Sequence, residues 1–331
     1  MASTVDRKQE HLDLCRTQNV SSNVRAGWDA IQLVHQAAPE IDFNEVSIET
    51  EFLGLPLKAP FLISSMTGGS AEGESVNRLL AEFAQARGIP MGVGSQRVAL
   101  ENRTSGLFEM RKTAPKAVLF ANIGLVQMNY GVTVADCQWL VDKLEAQALI
   151  LHLNPLQEAI QTEGDRNFSN LLQNISRLKK SISVPLILKE TGCGLDPDTC
   201  ERAIDEGIDA LDIAGLGGTH WGFIEGLRDS KRQELGEMFR DWGIPTVEAL
   251  TDVREAVGES VPLIASGGIR HGLDAAKAFY LGADLVGMAL PFLKKASAGL
   301  PALNDFLDLQ SEALRIALFC TGKTHLKELK E

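Results

Sequence analysis

The chain has 331 residues, of which 44% are hydrophobic, and its formal net charge at pH 7 is −12. The hydrophobic content is sufficient for a large core. The acidic excess argues against a nucleic acid or an anionic membrane surface as the main partner, because both favour basic proteins. Residues 1–25 are polar and charged, and the sequence contains no apolar run of 18 residues. We therefore expect a cytoplasmic protein without a signal peptide or a membrane span.

The cysteines also indicate a reducing compartment. The chain has 5 of them, an odd number, and they are scattered without a CxxC pair or a spacing typical of zinc ligands. Free thiols of this kind are usual in cytosolic proteins.

Short apolar runs alternate with helical patterns along the chain. The helical patterns fall at 74–87, 134–145, 168–181, 198–206 and 271–281, where apolar residues recur at three- and four-residue spacing. The alternation predicts an α/β fold, a closed (β/α)8 or TIM barrel, as one domain over 56–331 with an N-terminal arm over 1–55 and a C-terminal helix over 302–319. The eight predicted strands are 61–65, 91–94, 117–121, 148–152, 185–189, 209–213, 262–266 and 284–288.

Each predicted strand is followed by a polar or glycine-rich motif. In chain order the motifs are SMTGG, GSQR, NIG, HLNPLQE, KETGCG, AGLGGTHWG, SGGIR and GMAL. In barrels of this type the loops after the strands carry the functional groups. The sequence therefore predicts one site at the carboxyl ends of the strands.

The motif HLNPLQE places four polar side chains after the fourth strand: His152, Asn154, Gln157 and Glu158. Gln157 and Glu158 are neighbours, so both can reach one site only from a turn or the start of a helix. Glu158 is a suitable hard-oxygen ligand for Mg²⁺. The alternatives are a glutamate on a helix surface and a hydrogen-bonded core histidine.

Two further motifs suggest an anionic ligand. SGGIR and GMAL follow the last two strands, where such barrels hold a phosphate on backbone NH groups; two ordinary glycine turns are the alternative. Lys189 ends a buried strand, which requires an anionic partner such as a phosphate or the electron-rich edge of a flavin ring. A structural ion pair with Glu190 or Glu158 is the alternative for this lysine. Cys193 has no base at a recognisable spacing, so we expect an inert thiol.

Together these motifs resemble the type 2 isopentenyl-diphosphate isomerases, a family of FMN-dependent enzymes. The resemblance runs from Arg7 to about Leu290 and rests on RKQEH, SMTGG, GSQR, HLNPLQEAIQTEGDRNF, KETGCG, GGTHW and SGGIRHGLDAAKA. It implies that the chain is an isomerase that converts isopentenyl diphosphate to dimethylallyl diphosphate. FMN reduced by NADPH would act as acid and base, and Mg²⁺ would bind the diphosphate.

The resemblance also implies roles for particular residues. Gln157 lies near the reacting carbons and is a catalytic candidate together with His152, and Glu158 anchors Mg²⁺ to the diphosphate. The basic pair of the arm would complete the site of a neighbouring subunit, which implies a homo-tetramer or homo-octamer. The implied substrate contacts are Arg7, Lys8, Ser95, Arg97, His152, Asn154 and Gln157, and the implied FMN contacts are Ser65, Met66, Thr67, Ser95, Asn122, Lys189, Thr219, Gly267, Gly268, Ala289 and Leu290.

Two positions depart from the family pattern: Ala214 stands where a serine is common, and His220 where smaller or amide residues are usual. Two other functions remain open. An FMN-dependent 2-hydroxy-acid dehydrogenase would need a base histidine beside an arginine pair in an HGxRQ-like run, and this chain has SGGIRH there instead. The other alternative is a flavin-binding protein without catalysis.

Overall fold

Eight parallel strands form the closed barrel that the sequence predicts. The computed structural model describes residues 4–66, 68–102 and 108–330. In the barrel each strand pairs with the next in chain order, and the last strand pairs with the first. The barrel strands are β3 (Phe61–Ile63), β4 (Met91–Gly92), β5 (Leu119–Gly124), β6 (Ala148–His152), β7 (Leu186–Lys189), β8 (Ala210–Asp212), β9 (Leu263–Ser266) and β10 (Leu285–Met288). The predicted fold class is confirmed.

All eight strands overlap the predicted runs. The strand β5 differs most, because it begins and ends later than the predicted 117–121. Its last residues, from Asn122 to Gly124, pair in register with Ile150 to His152 of β6. The motif NIG, residues 122–124, was predicted to be a loop because it begins with a polar asparagine and ends with glycine. Pairing with the neighbouring strand overrides this local preference.

Helices cover the outside of the barrel. The helix predicted over 168–181 is shorter, because Asn170 has a φ of 52°, which a right-handed helix does not accommodate. The helices are α1 (Thr4–Thr17), α2 (Ala71–Arg87), α3 (Arg97–Asn102), α4 (Glu109–Thr113), α5 (Val134–Leu144), α6 (Pro155–Ile160), α7 (Gln173–Lys179), α8 (Pro197–Asp205), α9 (Trp221–Arg228), α10 (Gln233–Met238), α11 (Thr246–Val257), α12 (Gly272–Tyr280), α13 (Leu290–Ala296) and α14 (Leu300–Cys320). None of the helices in the described ranges is long and apolar enough to span a membrane.

The amino end of the barrel is closed by an antiparallel hairpin of β1 (Thr50–Phe52) and β2 (Leu55–Leu57). Phe52 and Leu57 of this hairpin are buried in one apolar cluster with the inward-facing side chains Phe120 and Ile187. The ring centroids of Phe52 and Phe120 lie 6.4 Å apart. Because this end is filled with apolar side chains, the described part of the chain leaves the carboxyl ends of the strands as the side from which a ligand can enter.

The N-terminal arm packs against that opposite end. It forms the helix α1, which the sequence analysis did not separate from the rest of the arm. Leu12 and Cys15 lie on the apolar side of α1 and are buried against the rest of the protein. On its polar side, the ammonium of Lys8 donates to the Ser95 carbonyl at 2.7 Å, and the His11 imidazole lies 2.9 Å from the Glu225 carboxylate. The helix α1 therefore lies over the mouth of its own barrel.

Candidate active site

A cavity of about 440 Å³ opens at the carboxyl ends of the barrel strands. Its volume is typical of a small-molecule site. Thr67, a predicted flavin contact, lies outside the described residues. All other predicted site residues line this one cavity: Arg7, Lys8, Ser65, Met66, Ser95, Arg97, Asn122, His152, Asn154, Gln157, Glu158, Lys189, Thr219, Gly267, Gly268, Ala289 and Leu290.

His152 ends β6 and hydrogen-bonds to Asn122 of β5, with 2.7 Å between Nδ1 and Oδ1. Burial lowers the pKa of His152 to about 4, and the positive charges of Lys189 and Lys8 add to this effect. The imidazole is therefore neutral near pH 7. Since Oδ1 of Asn122 can only accept, Nδ1 of His152 carries the proton and Nε2 is left as an acceptor. His152 thus offers the cavity a hydrogen bond and no positive charge.

The first turn of α6 presents Gln157 and Glu158 to the cavity, as the adjacency of the two residues requires. The side-chain amide of Asn154 donates to Gln157 Oε1 at 3.0 Å and to Glu158 Oε1 at 2.9 Å. The amide of Gln157 in turn donates to Glu225 Oε1 at 2.7 Å. The amide orientation of Gln157 is therefore fixed from both sides.

Glu158 is only 7% exposed, so the alternative of a helix-surface glutamate is wrong. Burial raises the pKa of its carboxyl group, while hydrogen bonds from the Asp165 backbone and from Asn154 act in the opposite direction. The described residues contain no group of three or more histidine, cysteine, aspartate or glutamate side chains that could hold a metal ion. Glu158 can serve a metal only as one ligand whose remaining positions are filled by substrate oxygens and water.

Lys189 pairs with Asp212, with 2.7 Å between Nζ and Oδ2. The suggested structural pair with Glu190 or Glu158 is therefore wrong. The reason is the sheet register, because the parallel pairing of β7 and β8 sets Lys189 directly opposite Asp212. Lys189 is 7% exposed and also lines the cavity.

Glu190 organises the loop after β7 instead. Its Oε2 accepts hydrogen bonds from the backbone NH groups of four consecutive residues, 191–194. Burial raises the pKa of Glu190 to about 7, although these hydrogen bonds favour the charged form. The loop contributes Thr191 and Gly192 to the cavity wall. Burial also raises the pKa of the Cys193 thiol, which agrees with the predicted inert cysteine.

Glycine backbones form another wall of the cavity. Gly267 has a φ of 99°, and a Cβ atom there would lie 2.1 Å from the Gly215 carbonyl oxygen. A Cβ atom on Gly218 would lie 2.6 Å from the Gly268 amide nitrogen. Side chains are therefore excluded at these positions, and the backbone itself faces the ligand.

The cavity-lining residues that were not predicted from the sequence include His11 and Gln161. Both lie beside Glu225: His11 Nε2 lies 2.9 Å from Oε1, and the Gln161 amide, with its oxygen and nitrogen exchanged, donates to the same oxygen at 3.2 Å. Burial opposes ionisation of Glu225, but the hydrogen bond and charge of His11, then Arg228, lower the pKa of this carboxyl group to about 2. His11 lies three residues after Lys8, so in a helix both side chains lie on the same face. This spacing could have predicted that His11 reaches the cavity. Nothing in WGFIEGLR distinguishes Glu225 from a surface glutamate.

Trp221 lines the cavity and packs edge-on against His11, with 5.1 Å between ring centroids. His220 is fully buried and does not belong to the cavity wall. Its Nδ1 accepts from the Phe223 backbone NH at 3.1 Å and so caps α9. The unusual histidine therefore has a structural role. Ala214 does line the cavity, with a φ of 43°.

The buried environment of His152 has a measurable consequence. We expect the His152 imidazole signals in an NMR titration to shift near pH 4 instead of near 6.5, the ordinary histidine pKa. Because the unfolded chain binds this proton more readily, the folded state should lose stability as the pH falls from 6.5 towards 4. The spectrum of His152→Asn assigns the signal. A His152 titration at pH 6 or above would contradict this burial-induced shift.

Comparisons with known proteins agree with the resemblance. The family model for FMN-dependent dehydrogenases matches residues 126–331. The isopentenyl-diphosphate delta-isomerase of Rickettsia africae is 46% identical over 328 residues, covering 98% of this chain and 96% of the relative. That of Nostoc sp. is 46% identical over 333 residues, covering 99% and 95%. The flavin-binding domain of baker's yeast flavocytochrome b2 has the same fold, with a TM-score of 0.71 at 18% identity over 97% of this chain and 81% of that one. The predicted family is thus confirmed: the chain belongs to the isopentenyl-diphosphate delta-isomerases, on the barrel of the FMN-dependent dehydrogenases.

Proposed function

We propose that the chain is an FMN- and magnesium-dependent isomerase that converts isopentenyl diphosphate to dimethylallyl diphosphate. The observation that carries the proposal is the single cavity, which unites every described residue of the implied flavin, diphosphate and magnesium sites. The relatives at 46% identity carry the name of this activity.

The cavity wall fits FMN. Ser65 Oγ and Asn154 Oδ1 are buried there without a hydrogen-bond partner, and a bound ligand would satisfy such groups. The glycine backbones at Gly267 and Gly268 leave room for a phosphate, and the Lys189 ammonium supplies a donor. When bound and reduced by NADPH, FMN would supply the proton-donating and proton-accepting group. The residues that would hold it are Ser65, Met66, Ser95, Asn122, Lys189, Thr219, Gly267, Gly268, Ala289 and Leu290, with Thr67 outside the described part.

A cluster of basic residues would hold the diphosphate. Arg7, Lys8 and Arg97 line the cavity together with Ser95. Burial, followed by repulsion from Arg7, lowers the pKa of Lys8 to about 7. An anionic substrate would restore the charge of Lys8 and so gain a charge-assisted hydrogen bond. Glu158 would add Mg²⁺ between its carboxylate and the substrate phosphates.

This grip positions the hydrocarbon end of the substrate. The reaction adds a proton to the terminal methylene and removes one from the chain CH2 group on the other side of the branched carbon, so that the double bond shifts with no net oxidation. Gln157, held by Asn154 and Glu225, would keep its amide beside these carbons. Trp221 and Met66 provide apolar surface, and α1 lies over the mouth of the barrel. Binding energy from the diphosphate thus supplies orientation.

The first test is direct. Purified protein incubated anaerobically with isopentenyl diphosphate, Mg²⁺, FMN and NADPH should yield dimethylallyl diphosphate by NMR, and it should yield none without flavin or without enzyme. In deuterated solvent the product methyl group should carry the label, because the added proton comes from an exchangeable site. An FMN-loaded protein that gives no product would favour the non-catalytic alternative.

Glu158 tests the magnesium site. In Glu158→Gln we expect the Mg²⁺ concentration for half-maximal activity to rise on the order of 100-fold, equivalent to about 2.7 kcal/mol, because the carboxylate ligand is lost. FMN affinity should remain unchanged. Glu201→Gln, on the exposed face of α8, makes the same substitution away from the cavity and should behave like the parent. An unaltered magnesium requirement in Glu158→Gln would remove this residue from the metal site.

The oligomer is also a proposal, a homo-tetramer or homo-octamer. Within the single chain α1 contacts its own cavity, so its predicted use by a neighbouring subunit requires exchange of α1 between chains. At a Mg²⁺ concentration that only just saturates the parent, the intrachain packing predicts that a mixture of Lys8→Ala and Glu158→Gln subunits is no more active than the two variants measured separately. With exchange, the mixture would regain about one quarter of the parent activity, because that share of sites would combine two intact parts. Sedimentation gives the assembly size.

The dehydrogenase alternative is not favoured. The histidine that ends SGGIRH, His271, caps α12 through a hydrogen bond from the Asp274 backbone NH. It does not line the cavity, so it cannot act as a base on a substrate bound there.

A further inference from the structure

The floor of the cavity contains a buried group of three side chains at the ends of three adjacent strands. Lys189 ends β7, Asp212 ends β8 and Ser266 ends β9. Lys189 Nζ lies 2.7 Å from Asp212 Oδ2 and 3.5 Å from Ser266 Oγ. Ser266 donates its hydroxyl proton to the other carboxylate oxygen, Asp212 Oδ1. Both oxygens of Asp212 therefore have a partner.

Asp212 itself makes no contact with the cavity. Its residue exposure is 0%, and only Lys189 and Ser266 of the group line the wall. A carboxylate in this position cannot touch a ligand. It can influence one only through the charge and the position of Lys189.

The other groups near Lys189 do not balance its charge. His152, its register neighbour on β6, is neutral near pH 7 because burial lowers its pKa to about 4. The carboxylate of Glu190 accepts hydrogen bonds from four backbone NH groups of its own loop. Among the described residues, the ion pair that involves Lys189 is the one with Asp212.

We propose that Asp212 is a positioning residue that neutralises Lys189, so that the flavin site receives a fixed hydrogen-bond donor without a net positive charge. The proposal rests on the proposed function, because it assumes that FMN binds beside Lys189. It changes the role of this lysine. A lysine without a counter-ion would stabilise a negatively charged reduced flavin strongly, whereas the pair with Asp212 does so only through its hydrogen bond and its dipole.

The balance of charge predicts opposite effects of the two single substitutions. On reduction, the ring system of FMN takes up two electrons from an external reductant and one proton from solvent. The neutral ring thereby becomes an anion. Asp212→Asn leaves the ammonium unbalanced and should favour this anion. Lys189→Met leaves the carboxylate unbalanced and should disfavour it. The double variant, with neither charge, should lie between the two single variants.

The experiment measures the midpoint potential of bound FMN in the holoenzyme, by slow reduction with xanthine and xanthine oxidase against a reference dye. We expect Asp212→Asn to shift the equilibrium towards reduced FMN at least tenfold, about 30 mV for two electrons. Lys189→Met should shift it in the opposite direction. Asp209→Asn is the matched control. Asp209 directly precedes β8, at the end of the strand away from the cavity, and pairs with Lys179. Removal of its carboxylate should therefore leave the midpoint potential of FMN unchanged.

An unchanged potential in Asp212→Asn would overturn the proposal, and so would a double variant with the same potential as Lys189→Met. The double variant guards against misfolding, since replacing a buried ion pair by neutral side chains is tolerated better than removing one partner. If Asp212→Asn does not retain FMN, the comparison of Lys189→Met with the double variant still measures the charge of Asp212. A parent protein that binds no FMN would contradict the proposed function itself. If the parent binds FMN and isomerises the substrate, but Asp212→Asn leaves the midpoint potential unchanged, only this inference is contradicted.

Discussion

The parallel register at the carboxyl ends of the barrel strands is the constraint on which the site depends. It sets Gly124 beside His152, His152 beside Lys189, and Lys189 beside Asp212. The strands β6, β7 and β8 therefore each deliver one polar side chain to the same level of the barrel mouth. The filled amino end, with Phe52 packed against Phe120, leaves this level as the place where polar side chains can meet a ligand.

Three buried glutamates near the barrel mouth have different roles because their partners differ. Burial raises the pKa of Glu190 to about 7, and that of Glu158 also rises, whereas His11 and Arg228 hold the pKa of Glu225 at about 2. Glu190 binds backbone NH groups, Glu158 faces the cavity, and Glu225 orients Gln157. Residue type alone does not separate these roles; the partners of each group do.

The helix α1 is joined to this arrangement by polar contacts. Lys8 donates to the Ser95 carbonyl, and His11 contacts the same Glu225 oxygen that accepts from Gln157. The arm and the proposed catalytic amide thus share one buried carboxylate. A displacement of α1 would remove the His11 imidazole from Glu225 and alter the contacts that orient Gln157, which links the position of α1 to the geometry of the cavity.

The sequence by itself determined the eight strands, the order of the loops and many of the residues that line the cavity, because strand periodicity and turn chemistry are local and the family motifs follow the strands. It did not show that α1 lies over the cavity, that Glu225 joins His11 to Gln157, or that Lys189 pairs with Asp212 instead of Glu190. These contacts join residues 23 to 214 positions apart, and they exist only once closure of the barrel fixes the register. The tertiary structure also assigned His220 to capping α9, a role that depends on its complete burial and not on its motif.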